Sequence, residues 1–63
     1  MNLYSLVKLN SERFTSQGIE RGREGTVIED YGNRTYEVDF SKDYNEIITL
    51  IVREDDIECI NDT

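Results

Sequence analysis

The segment 18–25 is the first place where residue type and spacing suggest chemistry, because it holds three of the four glycines in the chain. Closely spaced glycines let backbone N–H groups approach a phosphate. The spacing here, G-x-x-x-G-x-x-G, matches neither the dinucleotide fingerprint nor the P-loop, and no strand precedes it and no helix follows it. The glycines instead predict a turning loop, with Gly18 and Gly22 at reversals and Gly25 where another segment passes close to the backbone.

Carboxylates and one thiol are the other candidate chemical groups. The acidic run 54–56 suggests a cation site, but it lacks the D-x-D-x-D-G spacing and the turn glycine of a calcium loop. Cys59 has acidic neighbours, which disfavour a reactive thiolate, and strand periodicity predicts a core position on the same face as Ile57. With no histidine, the usual general base is missing. These residues predict a protein that is not an enzyme and that uses no metal or other cofactor.

The net charge of −7 lies entirely in residues 37–63, since residues 1–36 carry equal numbers of acidic and basic side chains. Such clustering is typical of an ordinary solubilising surface, and also of an acidic face that speeds association with a basic partner. Direct nucleic-acid binding is disfavoured, because it requires Lys and Arg to displace counterions from phosphates.

If the acidic half binds a partner, the contacts come from one strand face, the loop after it and the later acidic turn, with two tyrosines as aromatic anchors. The residues predicted to bind are Tyr31, Glu37, Asp39, Asp43, Tyr44, Glu46, Glu54, Asp55 and Asp56.

Short segments with strand-forming patterns are expected to position these residues. Alternating or apolar runs predict strands over 3–9, 25–30, 35–40, 47–52 and 56–60. In the third run Tyr36, Val38 and Phe40 share one face. Gly32-Asn33 predicts the centre of a two-residue hairpin, because both residues tolerate positive φ. The run 47–52 is apolar on both faces, which suits a central strand or a strand with an exposed apolar stripe.

The fold class that follows is all-β, and the chain forms a single domain over residues 1–63. The polar stretch 10–24 has only Phe14 and Ile19 as anchors and predicts a long loop between the first two strands. Five short strands without a helical segment favour a small five-stranded barrel, because closure removes exposed strand edges. The N-terminal residues do not have the pattern of a signal peptide, and no apolar run is long enough to span a bilayer. We therefore expect a cytoplasmic protein that does not contact a membrane.

The order of these segments resembles a family of short, uncharacterised bacterial SH3-like domains. The likeness covers residues 3–60 and is carried by "RGREGTVIE" and "YEVDF", which fit a GxxGTV…YxVxF pattern. The resemblance implies an SH3-like barrel without established catalytic residues, often encoded near toxin genes.

Two functions remain open. The first is a protein-binding inhibitor, an immunity protein or antitoxin whose acidic surface neutralises a cognate bacterial toxin with a basic cleft, such as a nuclease. The second is an SH3-like adaptor or subunit module, or an RNA-associated barrel. An RNA-associated barrel would need its basic residues on one stripe, and these are Lys8, Arg13, Arg21, Arg23 and Arg34.

Overall fold

The computed structural model describes residues 2–43 and 45–61. Its five strands are β1 (Leu6–Leu9), β2 (Glu24–Gly32), β3 (Thr35–Asp39), β4 (Thr49–Arg53) and β5 (Ile57–Asn61). Two short 3-10 turns, Thr15–Gln17 and Glu54–Asp56, lie in the β1–β2 loop and between β4 and β5. The described residues contain no α-helix. The all-β prediction is therefore confirmed, with strand ends that differ from the predicted ones by a few residues.

All five strands form one antiparallel sheet in the order β4-β3-β2-β1-β5. Over the described residues β4 and β5 are its two edges, so the closed ring of a complete barrel is not observed. These edges are nevertheless joined by a turn of three residues. A flat sheet of this width holds its edges about 19 Å apart, which is more than so short a turn spans. The sheet must therefore curl.

The core lies on the concave side of this curled sheet and receives side chains from every strand. The alternation predicted for β3 is confirmed, because Tyr36 and Val38 are buried and Phe40 follows on the same side. The complete buried apolar set is Val7, Leu9, Phe14, Ile19, Val27, Tyr36, Val38, Phe40, Val52 and Ile57.

The long β1–β2 loop is tied to the sheet by its two apolar anchors and by backbone bonds. Phe14 and Ile19 are both buried, as predicted. The Gly22 N–H donates to the Leu9 carbonyl at 2.7 Å. At Gly25 an added Cβ would lie 2.7 Å from Phe40 Cδ1, so the predicted close approach is confirmed, and only glycine fits.

The β2–β3 hairpin is confirmed, but its centre is one residue later than predicted. Gly32 pairs with Thr35, so the two loop residues are Asn33 and Arg34, with φ of 52° and 61°. The register shifts between Asp30 and Gly32, which leaves Tyr31 as an extra residue and moves the turn along the chain.

The predicted central position of the strand after residue 47 is wrong, because β4 is an edge strand that pairs with β3. The alternative of an exposed apolar stripe is confirmed, with Ile47 83% and Ile51 51% exposed. The prediction of a core cysteine is also wrong. Cys59 is exposed, because β5 is the opposite edge strand and contributes a buried side chain through Ile57.

Candidate functional site

Three neighbouring strands present a convex surface that points away from the core. We call this surface the outer face. The strand register places its side chains in rows across β2, β3 and β4, with Thr26, Asp39 and Thr49 in one row and Glu29, Glu37 and Ile51 in the next. Tyr31 joins the second row through its hydroxyl, and Thr35 and Arg53 form a third row. The outer face is therefore mainly acidic and polar around one exposed isoleucine.

Glu29 and Glu37 lie directly opposite each other across the β2–β3 pair. Like charges in this position destabilise a sheet by about 0.2–1 kcal/mol. Among the described residues neither carboxylate has a Lys or Arg within ion-pair distance. The fold thus maintains an uncompensated pair of negative charges at the centre of the outer face.

Tyr31 is held beside this pair by the register shift that makes it an extra residue in β2. Its hydroxyl donates a hydrogen bond to Glu37 Oε1. That hydrogen bond raises the pKa of Tyr31, and partial desolvation and the charges of Glu37 and Glu29 act in the same direction. Tyr31 is 54% exposed, so an aromatic side chain is available beside two carboxylates.

Asp39 lies at the far end of β3 and begins a shallow cleft. Its carboxylate accepts the Ser41 N–H at 2.8 Å, and hydrogen bonds from Ser41 hold the pKa of Asp39 below its ordinary value. The cleft has a volume of about 440 Å³ and is lined by Asp39, Ser41, Lys42 and Asp43. Lys42 places a positive charge in this cleft, which makes it less acidic than the centre of the outer face.

The other predicted loop residues are engaged within the loop or lie outside the described residues. Asp43 accepts the Asn45 N–H at 2.9 Å and forms an isolated bridge with Glu46. The Glu46 carboxylate is 3.5 Å from Arg23 Nη2. Tyr44, predicted as an aromatic anchor, is not among the described residues.

The acidic turn lies at the opposite end of β3, because the Glu54 N–H donates to the Arg34 carbonyl at 2.8 Å. Its three carboxylates have different surroundings. Glu54 is 3.7 Å from Arg34 Nε, and Asp55 is exposed. Asp56 is only 5% exposed, and its Oδ2 accepts both Arg13 Nη1 at 2.8 Å and the Arg53 N–H at 2.9 Å. Asp56 is therefore occupied by the fold and is not part of the outer face.

The predicted contact residues therefore lie in three groups along β3. One end has Asp39, Asp43 and Glu46, and the other end has Glu54 and Asp55. Thr35 and Asp39, at the two ends of β3, are separated by about 13 Å of extended chain. Tyr31 and Glu37 lie between those ends. Two residues of the central group were missed from sequence, Glu29 and Ile51. Two sequence features could have indicated them: Glu29 is a charged residue within the predicted second strand, and Ile51 belongs to a run that is apolar on both strand faces.

The basic residues that an RNA-binding stripe would use are mostly engaged elsewhere. Arg13 pairs with Asp56, and Arg34 lies near Glu54. Arg23 donates to the Phe40 carbonyl at 2.6 Å, and Arg21 donates to Asn10 Oδ1 at 3.0 Å. Lys8 lies opposite Glu58 in the β1–β5 register. Four of these five basic side chains therefore already have a partner within the fold, and the fifth lies opposite a glutamate.

Comparison with known proteins gives no assignment, because no family model, curated protein or solved structure matches the chain. Within residues 2–43 and 45–61 no group of three or more Cys, Asp or Glu side chains is arranged to hold a metal ion. The same residues include no helix with the length and apolar character needed to cross a membrane.

Proposed function

We propose that this chain is a protein-binding inhibitor, an immunity protein or antitoxin that neutralises a cognate bacterial toxin through the outer face. The proposal rests on the uncompensated pair of carboxylates, Glu29 and Glu37, at the centre of that face. A basic side chain of a partner would relieve the repulsion between these carboxylates. The partner in this proposal has a basic cleft, and the inhibitor itself has no catalytic role and acts in the cytoplasm.

The neighbours of this pair suit a protein partner. Tyr31 and Ile51 are each about half exposed and lie beside Glu37. A partly exposed aromatic ring and an apolar side chain supply contact area, while the carboxylates provide electrostatic steering. Phosphate groups would be repelled by the same carboxylates, which disfavours the RNA-associated alternative.

We also propose that the curled sheet is an SH3-like barrel that is incompletely closed. Two features support this proposal. After the four-strand meander β1–β4, strand β5 returns to pair with β1, and the short turn before β5 brings the two sheet edges towards each other. The two register shifts in the β2–β3 pair increase the local bend of the sheet. This shape presents the outer face as a convex surface suited to a concave partner.

The test is removal of the central charges in the variant Glu29→Gln with Glu37→Gln. We expect affinity for the cognate toxin, sought first as the protein encoded directly upstream, to fall by about tenfold or more, with a weaker salt dependence. The free energy of unfolding should stay the same or rise by about 0.2–1 kcal/mol, because a like-charge repulsion is removed. Calorimetric titration at several salt concentrations and chemical denaturation measure the two effects.

The matched control is Glu12→Gln with Glu20→Gln, which changes the net charge equally in the exposed β1–β2 loop. It should lose much less affinity. If the control and the outer-face variant weaken binding equally, overall charge rather than the outer face recruits the partner. If neither variant alters binding or protection from toxicity, the acidic-surface mechanism is wrong.

A further inference from the structure

The open side of β4 is a strand edge whose backbone groups can be assigned from the register. The Phe40 N–H donates to the Ile48 carbonyl, and the Glu54 N–H donates to the Arg34 carbonyl. Hydrogen-bonded and non-bonded pairs alternate in an antiparallel ladder, so Leu50 and Val52 direct their peptide groups towards β3. Thr49 and Ile51 therefore direct their N–H and C=O groups away from the sheet.

This open edge has a defined end. The Arg53 N–H, which has the same orientation as that of Ile51, donates to Asp56 Oδ2 at 2.9 Å. The Asp56 side chain thus satisfies the last edge donor and is itself buried. Among residues 2–43 and 45–61, no backbone hydrogen-bond partner is found for the N–H and C=O groups of Thr49 and Ile51 or for the Arg53 carbonyl. The open edge is therefore about two residue pairs long.

The side chains around this edge indicate which segment would fit. In an added antiparallel strand, residues opposite Thr49 and Ile51 would project on the outer face, about 10 Å from the β3 backbone. A Lys or Arg at these positions reaches the carboxylates of Asp39 and Glu37, which lie opposite Thr49 and Ile51 on β3. The residue opposite Arg53 should be acidic, and the intervening residues should be apolar because they lie beside Leu50 and Val52.

We propose that the partner's recognition element is a short extended segment that adds to β4 as an antiparallel strand, with basic residues alternating with apolar ones. This inference rests on the proposed function and specifies how the outer face is used. Charge complementarity selects such a segment over a second copy of this chain, because a copy would bring its own Glu37 and Asp39 towards the same edge.

The probe is a terminally blocked peptide, Glu-Val-Lys-Val-Lys, which matches the edge when it runs antiparallel from Arg53 to Thr49. NMR should show that the Thr49 and Ile51 amides exchange rapidly in the free protein, while Leu50 and Val52 are protected. On titration with the peptide, protection should appear at Thr49 and Ile51. The reversed sequence Lys-Val-Lys-Val-Glu, which has the same composition, should bind about tenfold more weakly or not at all.

Two modifications test the backbone bonds without changing the charge. Ile51→Pro removes an N–H that faces the open edge, a position where a strand tolerates proline. N-methylation of the peptide lysine that lies opposite Ile51 removes the reciprocal donor from unmodified protein. Each should weaken peptide binding by about tenfold. The inference is overturned if Thr49 and Ile51 gain no protection, or if N-methylation has no effect.

Binding to the upstream-encoded protein separates this inference from the proposed function. Loss of binding in Glu29→Gln with Glu37→Gln but not in Ile51→Pro retains the acidic surface and rejects strand addition. Loss in Ile51→Pro alone rejects the electrostatic mechanism, and it retains strand addition when N-methylation of the peptide lysine also weakens peptide binding. Sedimentation as a dimer, with Thr49 and Ile51 already protected in the absence of peptide, assigns the edge to a second copy and overturns the inference.

Discussion

Asp56 is a buried acidic residue whose carboxylate is bonded within the fold. Its carboxylate satisfies the last edge donor of β4, at Arg53, and pairs with Arg13 from the long loop. A buried carboxylate is costly unless it is paired and hydrogen-bonded, and here both conditions are met. One side chain therefore joins the β1–β2 loop, the end of β4 and the turn before β5.

Replacing Asp56 by alanine should lower the free energy of unfolding by about 1–3 kcal/mol, because the Arg53 N–H loses its acceptor. Asp56→Asn should cost less, since the amide oxygen still accepts that bond while the ion pair is lost. Chemical denaturation of both variants measures the difference.

Asp55→Asn is the control for this prediction, because Asp55 is the exposed neighbour in the same turn. It should change stability by no more than about 0.5 kcal/mol. Equal effects of Asp55→Asn and Asp56→Asn would mean that net charge, and not the buried contacts of Asp56, determines the stability of the turn.

At the scale of elements, the β2–β3 hairpin combines a favourable turn type with an unfavourable residue. Asn33 and Arg34 both have positive φ, as in the type I′ turns whose twist matches paired strands. Asparagine tolerates this conformation, but an arginine there costs about 1–2 kcal/mol. Arg34 is 83% exposed in its side chain, and its 3.7 Å approach to Glu54 contributes little in return.

Arg34→Gly should therefore raise the free energy of unfolding by about 0.5–1 kcal/mol, since relief of strain exceeds the added flexibility of the unfolded chain. The Arg34 carbonyl that accepts the Glu54 N–H is retained in this variant. Thermal and chemical unfolding measure the gain. Arg34→Ala removes the same side chain and keeps the strained φ, so it should give no such gain. A loss of stability in Arg34→Gly would show that the contact with Glu54 outweighs the strain.

The elements were largely predictable from the sequence because local patterns determine them. Alternation in β3 and the anchors Phe14 and Ile19 depend on nearby residues, and both predictions are confirmed. The hairpin centre and the exposure of Cys59 depend on register shifts and on strand order, which local patterns do not encode. The pairing of Glu29 with Glu37 across two strands is non-local for the same reason, and the candidate site was therefore only partly predictable.

For the whole molecule, pH acts on stability through groups whose pKa values differ between the folded and unfolded chain. Hydrogen bonds from Ser41 lower the pKa of Asp39 below its ordinary 3.8. The folded state then binds fewer protons than the unfolded state near this pH. The stability that Asp39 contributes is complete above about pH 4 and is lost as the pH falls through its folded pKa.

The two tyrosines act with the opposite sign. The hydrogen bond to Glu37 raises the pKa of Tyr31 above 10.0, and burial is the main cause of the raised pKa of Tyr36. Their contribution is complete below about pH 10 and is lost as the pH rises through their folded pKa values, because ionisation is easier in the unfolded chain. The thermal unfolding midpoint should therefore remain on a plateau between these limits and fall outside them.

Thermal unfolding from about pH 2 to about pH 12 tests this profile, and single variants assign its two limbs. Asp39→Asn should flatten the acid limb while leaving the alkaline limb unchanged. Tyr31→Phe should be less stable than the parent chain near neutral pH, because Glu37 loses its donor, and this difference should shrink above pH 10. If Tyr31→Phe combined with Tyr36→Phe leaves the alkaline limb as steep as before, the limb arises from general charge repulsion in this acidic chain. The Tyr31–Glu37 bond on the outer face would then contribute no measurable stability.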